Sequence, residues 1–438
     1  MDSKDTIFAL TTPFGKSGVA VIRVSGSNAL EAARILTQHQ DFEPRYCALL
    51  DIFDANCNKI DKGLVIYFNA PHSFTGEDVV EFQVHGSIAV IKAIMHSLAM
   101  VPGLRLAEAG EFAKTAFLNN KLDLTRAEAL EDLINAETSL QLKQAMNQLD
   151  GKFHDFIWEW RDQIIQIIAY VESYIDFPDE DIPHDIEMQI HEKIQSLLAQ
   201  IQEYLDDKQI GQKIKSGIYI SISGKPNVGK SSLINYFAGR DIAIVSQIAG
   251  TTRDVIETTI DIEGIPIIFA DTAGLREAED EIEKIGINRA KDVIQKSDLK
   301  LKIFSIDDDL HNIGCADDEI IVVNKIDLSQ ERCNKLKELS AIFISLKTLE
   351  GLEALQDAIK EKLSYLNTPS KVPFITRDRY RLHLAQAVLF LAHFLSNKDI
   401  VLAAEDLRLA KREFEKISGS IDVDEILDVV FSSFCIGK

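Results

Sequence analysis

Residues 218–238 read IYISISGKPNVGKSSLINYFA: an apolar β-like run, a glycine-containing loop and a helix pattern in immediate succession. Gly224–Ser231 (GKPNVGKS) matches G-x-x-x-x-G-K-S, and a strand before it with a helix after it is the context this motif requires. The backbone amides of such a loop and the following helix N-terminus attract phosphate oxygens. Lys230 can neutralise the β and γ phosphates, and the Ser231 hydroxyl can ligate magnesium. Asn227, Val228, Gly229 and Ser232 complete the candidate phosphate site.

Outward from this loop, IPIIFADTAG (265–274), LKLKIFSID (299–307), EIIVVNKID (319–327) and AIFISL (341–346) are further strand-like runs separated by helix-length segments. Strands alternating with helices predict a doubly wound, mostly parallel sheet. Asp271-Thr272-Ala273-Gly274 ends one run, where an aspartate reaches the magnesium shell and a glycine amide reaches the γ-phosphate. Asn324-Lys325-Ile326-Asp327 ends another. A carboxylate at Asp327 can accept from the two adjacent N–H groups of guanine, which adenine does not offer, so GTP is selected over ATP. Ser345-Leu346-Lys347 takes the place of the base-cradling loop, and residues 216–365 resemble a small Ras-like G protein. The residue after D-x-x-G is Leu275, which cannot orient water as the glutamine of Ras-like proteins does. The acidic stretch Glu277–Glu283 supplies candidates for that task.

Residues 1–118 mix β-like runs (GVAVIRV 18–24, GLVIYF 63–68, DVVEFQV 78–84) with helical patterns at 28–37 and 88–100, an α+β domain. From 119 to 215 strand signals give way to apolar helical periodicity, including Leu130, Leu133, Ile134 and Ile164, Ile165, Ile167, Ile168, Val171, broken only by FPDEDIPH at 177–184. After the G-protein-like part, residues 366–438 are helical again. The expected architecture is a multidomain α/β and α protein: an N-terminal α+β domain (1–118), a discontinuous helical domain (119–215 and 366–438) and an inserted P-loop GTPase domain (216–365).

The chain has 438 residues, five scattered cysteines without a C-x-x-C pair, and a net charge of −22. That cysteine usage indicates neither a disulfide framework nor a zinc knuckle and suits a reducing, cytoplasmic setting. The start MDSKDTIFAL has no export signature, and no apolar stretch is long enough to span a bilayer. The acidity, taken alone, argues against direct nucleic-acid binding.

Several segments then identify a family. Gly250-Thr251-Thr252-Arg253-Asp254, Asp271–Arg276 (DTAGLR) and the terminal Phe434-Cys435-Ile436-Gly437-Lys438, together with TPFGKSGVAVIRVSG, PHSFTGEDVVEFQVHG and GEFAKTAFLNNKLDL near the N-terminus, resemble the MnmE (TrmE) tRNA-modification GTPases over essentially the whole chain. The resemblance implies a cytoplasmic homodimer, pairing through its N-terminal domain. With the flavoprotein MnmG (GidA) it would build a carboxymethylaminomethyl-type group on carbon 5 of the wobble uridine (U34) of certain tRNAs. A 5,10-methylene- or 5-formyl-tetrahydrofolate would supply the one-carbon unit, its contacts mapping onto Arg23, Glu81, Lys121 and Lys438. Hydrolysis of GTP would depend on potassium, ligated by Asn227, Ser246, Ile248 and Thr251. Thr252 would join Ser231 around magnesium, Gln247, Ala249 and Gly250 would complete the first switch at the nucleotide, and Glu283 would activate water. Cys435 is a candidate for the uridine chemistry, or else part of a structural tail motif. A ribosome-assembly or translation-associated GTPase is the alternative, since G-T-T-R-D is shared with such proteins, although no basic KH-type appendage is visible.

Divided by segment, the charge is informative. Residues 119–215 hold 9 basic against 20 acidic side chains and residues 216–370 hold 18 against 26, whereas Lys371–Arg412 holds 8 against 4. On this reading tRNA is held mainly by a more basic partner such as MnmG, with the strip Arg377–Arg412 as this chain's contribution at most.

Overall fold

A computed structural model describes residues 5–176, 186–240, 259–262, 264–271, 297–310, 316–336, 339–367, 372–397, 399–421, 427, 430–432 and 434–437. The chain divides into two compact units, one of residues 1–131, 157–172 and 401–438, the other of 132–156 and 173–400.

The first unit is built on a six-stranded sheet of β1 (Thr6–Leu10), β2 (Ser17–Ser25), β3 (Cys47–Phe53), β4 (Lys59–Phe68), β5 (Val79–Gly86) and β6 (Leu104–Leu106), in the order β3-β4-β5-β2-β1-β6. All its pairings are antiparallel except β1 with β6. Alternation along β2 explains the layering: Ala20, Ile22 and Val24 are fully buried with Phe82 of β5 against α1 (Ala29–Thr37) and α2 (Ile88–Ala99), while Arg23 points to the opposite face. Strand β1 is buried on both faces, because Ile7 and Ala9 pack on Phe112 of α3 (Glu111–Leu118). Strands β2, β4 and β5 are expected from the sequence, whereas β1, the edge strand β3 and the three-residue β6 are not.

The C-terminal tail is joined to this sheet. Phe431 and Phe434 pack with Ala113, Leu124 of α4 (Leu124–Ile134) and Ala127, and Ala109 bridges Ile436. The unit also takes in part of α6 (Lys152–Asp176) and a C-terminal helix, Ile400–Ser418. There the Trp160 and Phe414 rings meet at 6.3 Å, and Arg161 donates to Glu415.

In the second unit the sheet runs β12-β11-β10-β7-β9-β8: β7 (Ile218–Ser223), β8 (Thr259–Ile262), β9 (Ile265–Asp271), β10 (Leu299–Ser305), β11 (Glu319–Asn324) and β12 (Ile342–Phe343). It is parallel throughout except for β8, which pairs antiparallel with β9, so the doubly wound expectation holds with one antiparallel edge. Its core joins Ile218, Ile220 and Ile222 to Leu233 and Phe237 of α9 (Lys230–Arg240), with Phe237 stacked on Phe269. AIFISL contributes only its two residues Ile342 and Phe343 to the sheet.

The helical part of this unit contains α5 (Ser139–Leu149), α7 (Ile186–Leu205), α8 (Ile210–Ser216) and a helix at Asp378–Ser396. Ile190, Ile194, Leu197 and Ile201 recur at helical spacing along α7, and all four are buried. In α6, Ile164, Ile167 and Val171 are buried as the periodicity predicts, while Ile165 stays exposed. The expected break at 177–184 lies outside the described residues. No helix among the described residues is long and apolar enough to cross a membrane.

Candidate functional site

The phosphate loop connects the end of β7 to the first turn of α9, which begins at Lys230. Its conformation is fixed from below. Gly229 has φ +109, and a Cβ there would sit 2.3 Å from Nδ2 of Asn324, so a side chain is excluded twice over. Asn227 has φ +64, a left-handed conformation that asparagine tolerates better than most residues. Lys230 Nζ donates to the carbonyls of Gly224 and Lys225, 2.9 Å each, and so lies folded over the loop it follows. Lys225 pairs with Asp308 at 2.7 Å. That hydrogen bond, helped by one from the Ser305 amide, holds the Asp308 carboxyl below its ordinary pKa.

Asn324, at the C-terminal end of β11, joins the phosphate side to the base side. Its Nδ2 donates to the Val228 carbonyl at 2.7 Å, and its Oδ1 accepts from the amides of Lys325 (2.7 Å) and Leu346 (3.2 Å). Asn324 is 2% exposed, so these bonds have no competition from water. Lys325 follows with φ +67 and sets off the short turn carrying Asp327. Ser345, fully buried, donates through Oγ to Asp327 Oδ1 at 2.7 Å and accepts from the Thr348 amide at 3.1 Å. Ser345 therefore orients the carboxylate assigned to guanine. Asp271 is opposite Ile222 in the β7–β9 register, at the strand end where the loop begins.

The structure thus gathers Asn227, Val228, Gly229, Lys230, Ser231, Ser232, Asp271, Asn324, Lys325, Asp327 and Ser345 at the C-terminal ends of the parallel strands, where open α/β sheets bind ligands. Ser246, Gln247, Ile248, Ala249, Gly250, Thr251, Thr252, Thr272, Ala273, Gly274, Glu283 and Lys438 lie outside the described residues. The Lys225–Asp308 pair is not among the sequence candidates. Only the acidic run after β10 could have hinted at it.

In the first unit, Arg23 and Glu81 are partners across β2 and β5, with guanidinium–carboxylate contacts of 2.9 and 3.0 Å. The guanidinium also lies 5.3 Å from the Phe74 ring centroid and 5.5 Å from that of Phe112. Lys121 reaches the Thr75-Gly76-Glu77 turn, where its Cε would be 3.0 Å from a Cβ on Gly76. Asn119 donates to the Thr75 carbonyl, and Ser25 bonds both Thr75 and Glu77. Phe74 packs against both the Phe112 cluster and the Phe431–Phe434 cluster, so the turn and the C-terminal tail share a neighbour. Cys435 is exposed, with its carbonyl 3.5 Å from the Gly110 amide. Arg23 is thus held by Glu81 and by two rings, with about a fifth of its side chain exposed. Phe74 and Phe112 escape sequence reading because they lie far from Arg23 along the chain.

The family model of the MnmE helical domain matches residues 124–435, and that of the GTP-binding protein TrmE N-terminus matches residues 6–121. The tRNA modification GTPase MnmE of Rickettsia bellii (strain RML369-C) is 46% identical, covering 99% of this chain and 100% of its own. That of Wolbachia sp. subsp. Brugia malayi (strain TRS) is 44% identical, covering 100% of both. Among solved structures, the G domain of the T. maritima FeoB iron transporter is 25% identical over 33% of this chain and 98% of its own, with a TM-score of 0.25. Family models matching both the N-terminal domain and the rest, with full-length relatives at this identity, establish that the chain belongs to the MnmE (TrmE) family of tRNA modification GTPases.

Proposed function

We propose that this protein binds and hydrolyses GTP to drive a tRNA modification, the 5-carboxymethylaminomethyl-type group on wobble uridine, acting as a homodimer with MnmG. The observation that carries the GTP part is the Asp327 carboxylate held by buried Ser345 on the same strand-end platform as the phosphate loop. The tRNA part rests on the full-length relatives, which are named tRNA modification GTPases.

The residues present fit a nucleoside triphosphate with magnesium: a glycine-defined loop, Lys230 beside it, and Ser231 in the first turn of α9. Magnesium would be held by Ser231 and Thr252 and would offset charge on the phosphates. Potassium would be held by Asn227, Ser246, Ile248 and Thr251 where other G proteins place an arginine finger. With Leu275 unable to orient water, Glu283 takes the role of base. Glu283→Ala is expected to lower potassium-stimulated turnover by about 10²-fold or more, in the range of a lost general base. Turnover equal to wild type would remove Glu283 from the mechanism.

In the first unit a tetrahydrofolate would lie near Arg23, Glu81 and Lys121, with Lys438 and Cys435 at the tail. Nucleoside analysis of total tRNA from cells lacking the protein tests the whole reading. Loss of the wobble-uridine modification, restored by the wild-type chain, is expected. Unaltered tRNA with altered rRNA precursors would replace this reading with ribosome assembly.

A further inference from the structure

Helix α5 carries three glutamines at positions i, i+3 and i+7, all on one face. Gln141 Nε2 donates to the Lys215 carbonyl (3.1 Å), Gln144 Nε2 to the Gly211 carbonyl (3.0 Å), and Gln148 Nε2 to Thr376 Oγ1 (2.7 Å). Residues 211–215 lead the chain into the GTPase domain, and Thr376 follows its exit. Asp132, in the last turn of α4, accepts from Lys215 at 3.0 Å and from Arg377 at 2.9 Å, and so binds entry and exit to one carboxylate.

The N-terminus of α5 meets a different part of the GTPase domain. Thr138 and Gln141 form a capping box, and the next free amide, Leu140 N, donates to the carbonyl of Gly264 at 3.2 Å. Gly264 is the turn between β8 and β9, with φ +90, and a Cβ there would lie 2.3 Å from Ser139 Oγ. The far ends of this hairpin are Thr259, five residues after Gly250-Thr251-Thr252-Arg253-Asp254, and Asp271 of the D-T-A-G motif. Strand β9 spans roughly 20 Å at the usual rise, so a shift at the phosphate end of this paired hairpin reaches its turn. Two amide oxygens in the seam, Gln144 Oε1 and Gln212 Oε1, are buried without a hydrogen-bond partner among the described residues.

We propose that α5, through Gln141, Gln144 and Gln148, is the positioning element by which the nucleotide state of the GTPase domain is passed to the helical segments. The inference rests on the GTPase reading above. Neutral side-chain hydrogen bonds suit such a task, since partners can be exchanged without desolvating a charge.

The test uses the full-length protein with GDP, or with GDP and aluminium fluoride in potassium. Hydrogen exchange of residues 138–149 and 207–217 is followed in wild type and in the Q144L/Q148L double variant. Wild type is expected to change exchange in these segments by about 5-fold or more between the two states, the scale of an ordinary coupling. The variant is expected to keep GTP turnover within about twofold, lose that difference, and restore wobble-uridine modification poorly in cells, with coupling of the size found in allosteric proteins removed. Wild-type exchange identical in both states, with GTP turnover intact, would overturn the coupling and leave the GTPase reading standing. So would a variant that modifies tRNA normally, or one that loses turnover itself, because α5 would then only support the GTPase fold. Absence of GTP turnover in wild type would overturn the underlying reading and the inference with it.

Discussion

Asn324 shows how much a single residue can hold. Its side chain makes three bonds, to Val228, Lys325 and Leu346, so the phosphate loop, the guanine loop and the strand between them share one amide. Asn324→Ala leaves three backbone groups without partners in a buried place, each worth about 1 kcal/mol or more. GTP and GDP affinity should both fall by about 100-fold or more, the equivalent of ~3 kcal/mol, in equilibrium titration with a fluorescent guanine nucleotide. An affinity within a few-fold of wild type would mean that the loops hold themselves. Asp327 and Asn324 were legible in the sequence because their motif has fixed spacing. The Ser345 bond to Asp327 was legible only as a loop position, and the Phe74–Arg23–Phe112 stack not at all, since it joins three separate elements. Glu111 offers a test of charge. Burial raises its pKa, but hydrogen bonds from Arg105 and the Glu108 amide, with the charges of Arg105 and Lys114, outweigh this and hold it below the ordinary 4.5. A depressed folded pKa contributes stability above the unfolded value that is lost as pH falls through the folded one. Glu111→Gln should therefore lower stability at neutral pH and flatten its decline below about pH 4.5 in acid titration followed by circular dichroism. An acid limb as steep as wild type would count against it.

At the scale of elements, legibility followed periodicity. Helix α7 could be read because Ile190, Ile194, Leu197 and Ile201 make a continuous apolar stripe, and all four are buried. Strand β2 could be read from its alternation. Strand β3 carries little signal because only Ile52 of its seven residues is buried, which leaves an edge strand with little pattern. Strand β1 carries little signal for the opposite reason: buried on both faces, TIFAL has no polar–apolar alternation. The α7 stripe gives a prediction by contrast. Leu197→Ala should destabilise the chain by about 2–5 kcal/mol, as core truncations do, whereas Gln200→Ala on the exposed face should change stability by less than about 0.5 kcal/mol. Urea unfolding monitored on both variants decides it. Equal midpoints would show that α7 is held by something other than its apolar stripe.

For the whole molecule, the charge of −22 has to be reconciled with the tRNA substrate proposed above. Lys371–Arg412 holds eight cations, and among the described residues four of them are engaged by carboxylates of their own unit. In the second unit Arg377 pairs with Asp132, and Arg381 binds Asp207 and the Leu205 carbonyl. In the first, Arg408 pairs with Glu172 and Glu405, and Lys411 with Glu415. A guanidinium already facing a carboxylate releases few counterions from a phosphate backbone, because its charge is compensated before the nucleic acid arrives. The strip therefore stabilises its own helices, and the long acidic stretches would repel the tRNA backbone at distances up to about a Debye length, ~10 Å at 0.1 M salt. Affinity for tRNA should then come from a basic partner. Alone, the protein is expected to bind tRNA no tighter than about 10 µM at 150 mM salt, within the non-specific range. With MnmG added, binding should tighten by about 10-fold or more, and its salt dependence should follow that partner's phosphate contacts. Anisotropy titrations at two salt concentrations, with and without MnmG, measure both quantities. A sub-micromolar, steeply salt-dependent complex formed by this chain alone would mean that the ion pairs of the strip open on binding, and the partner would no longer be needed to explain recognition.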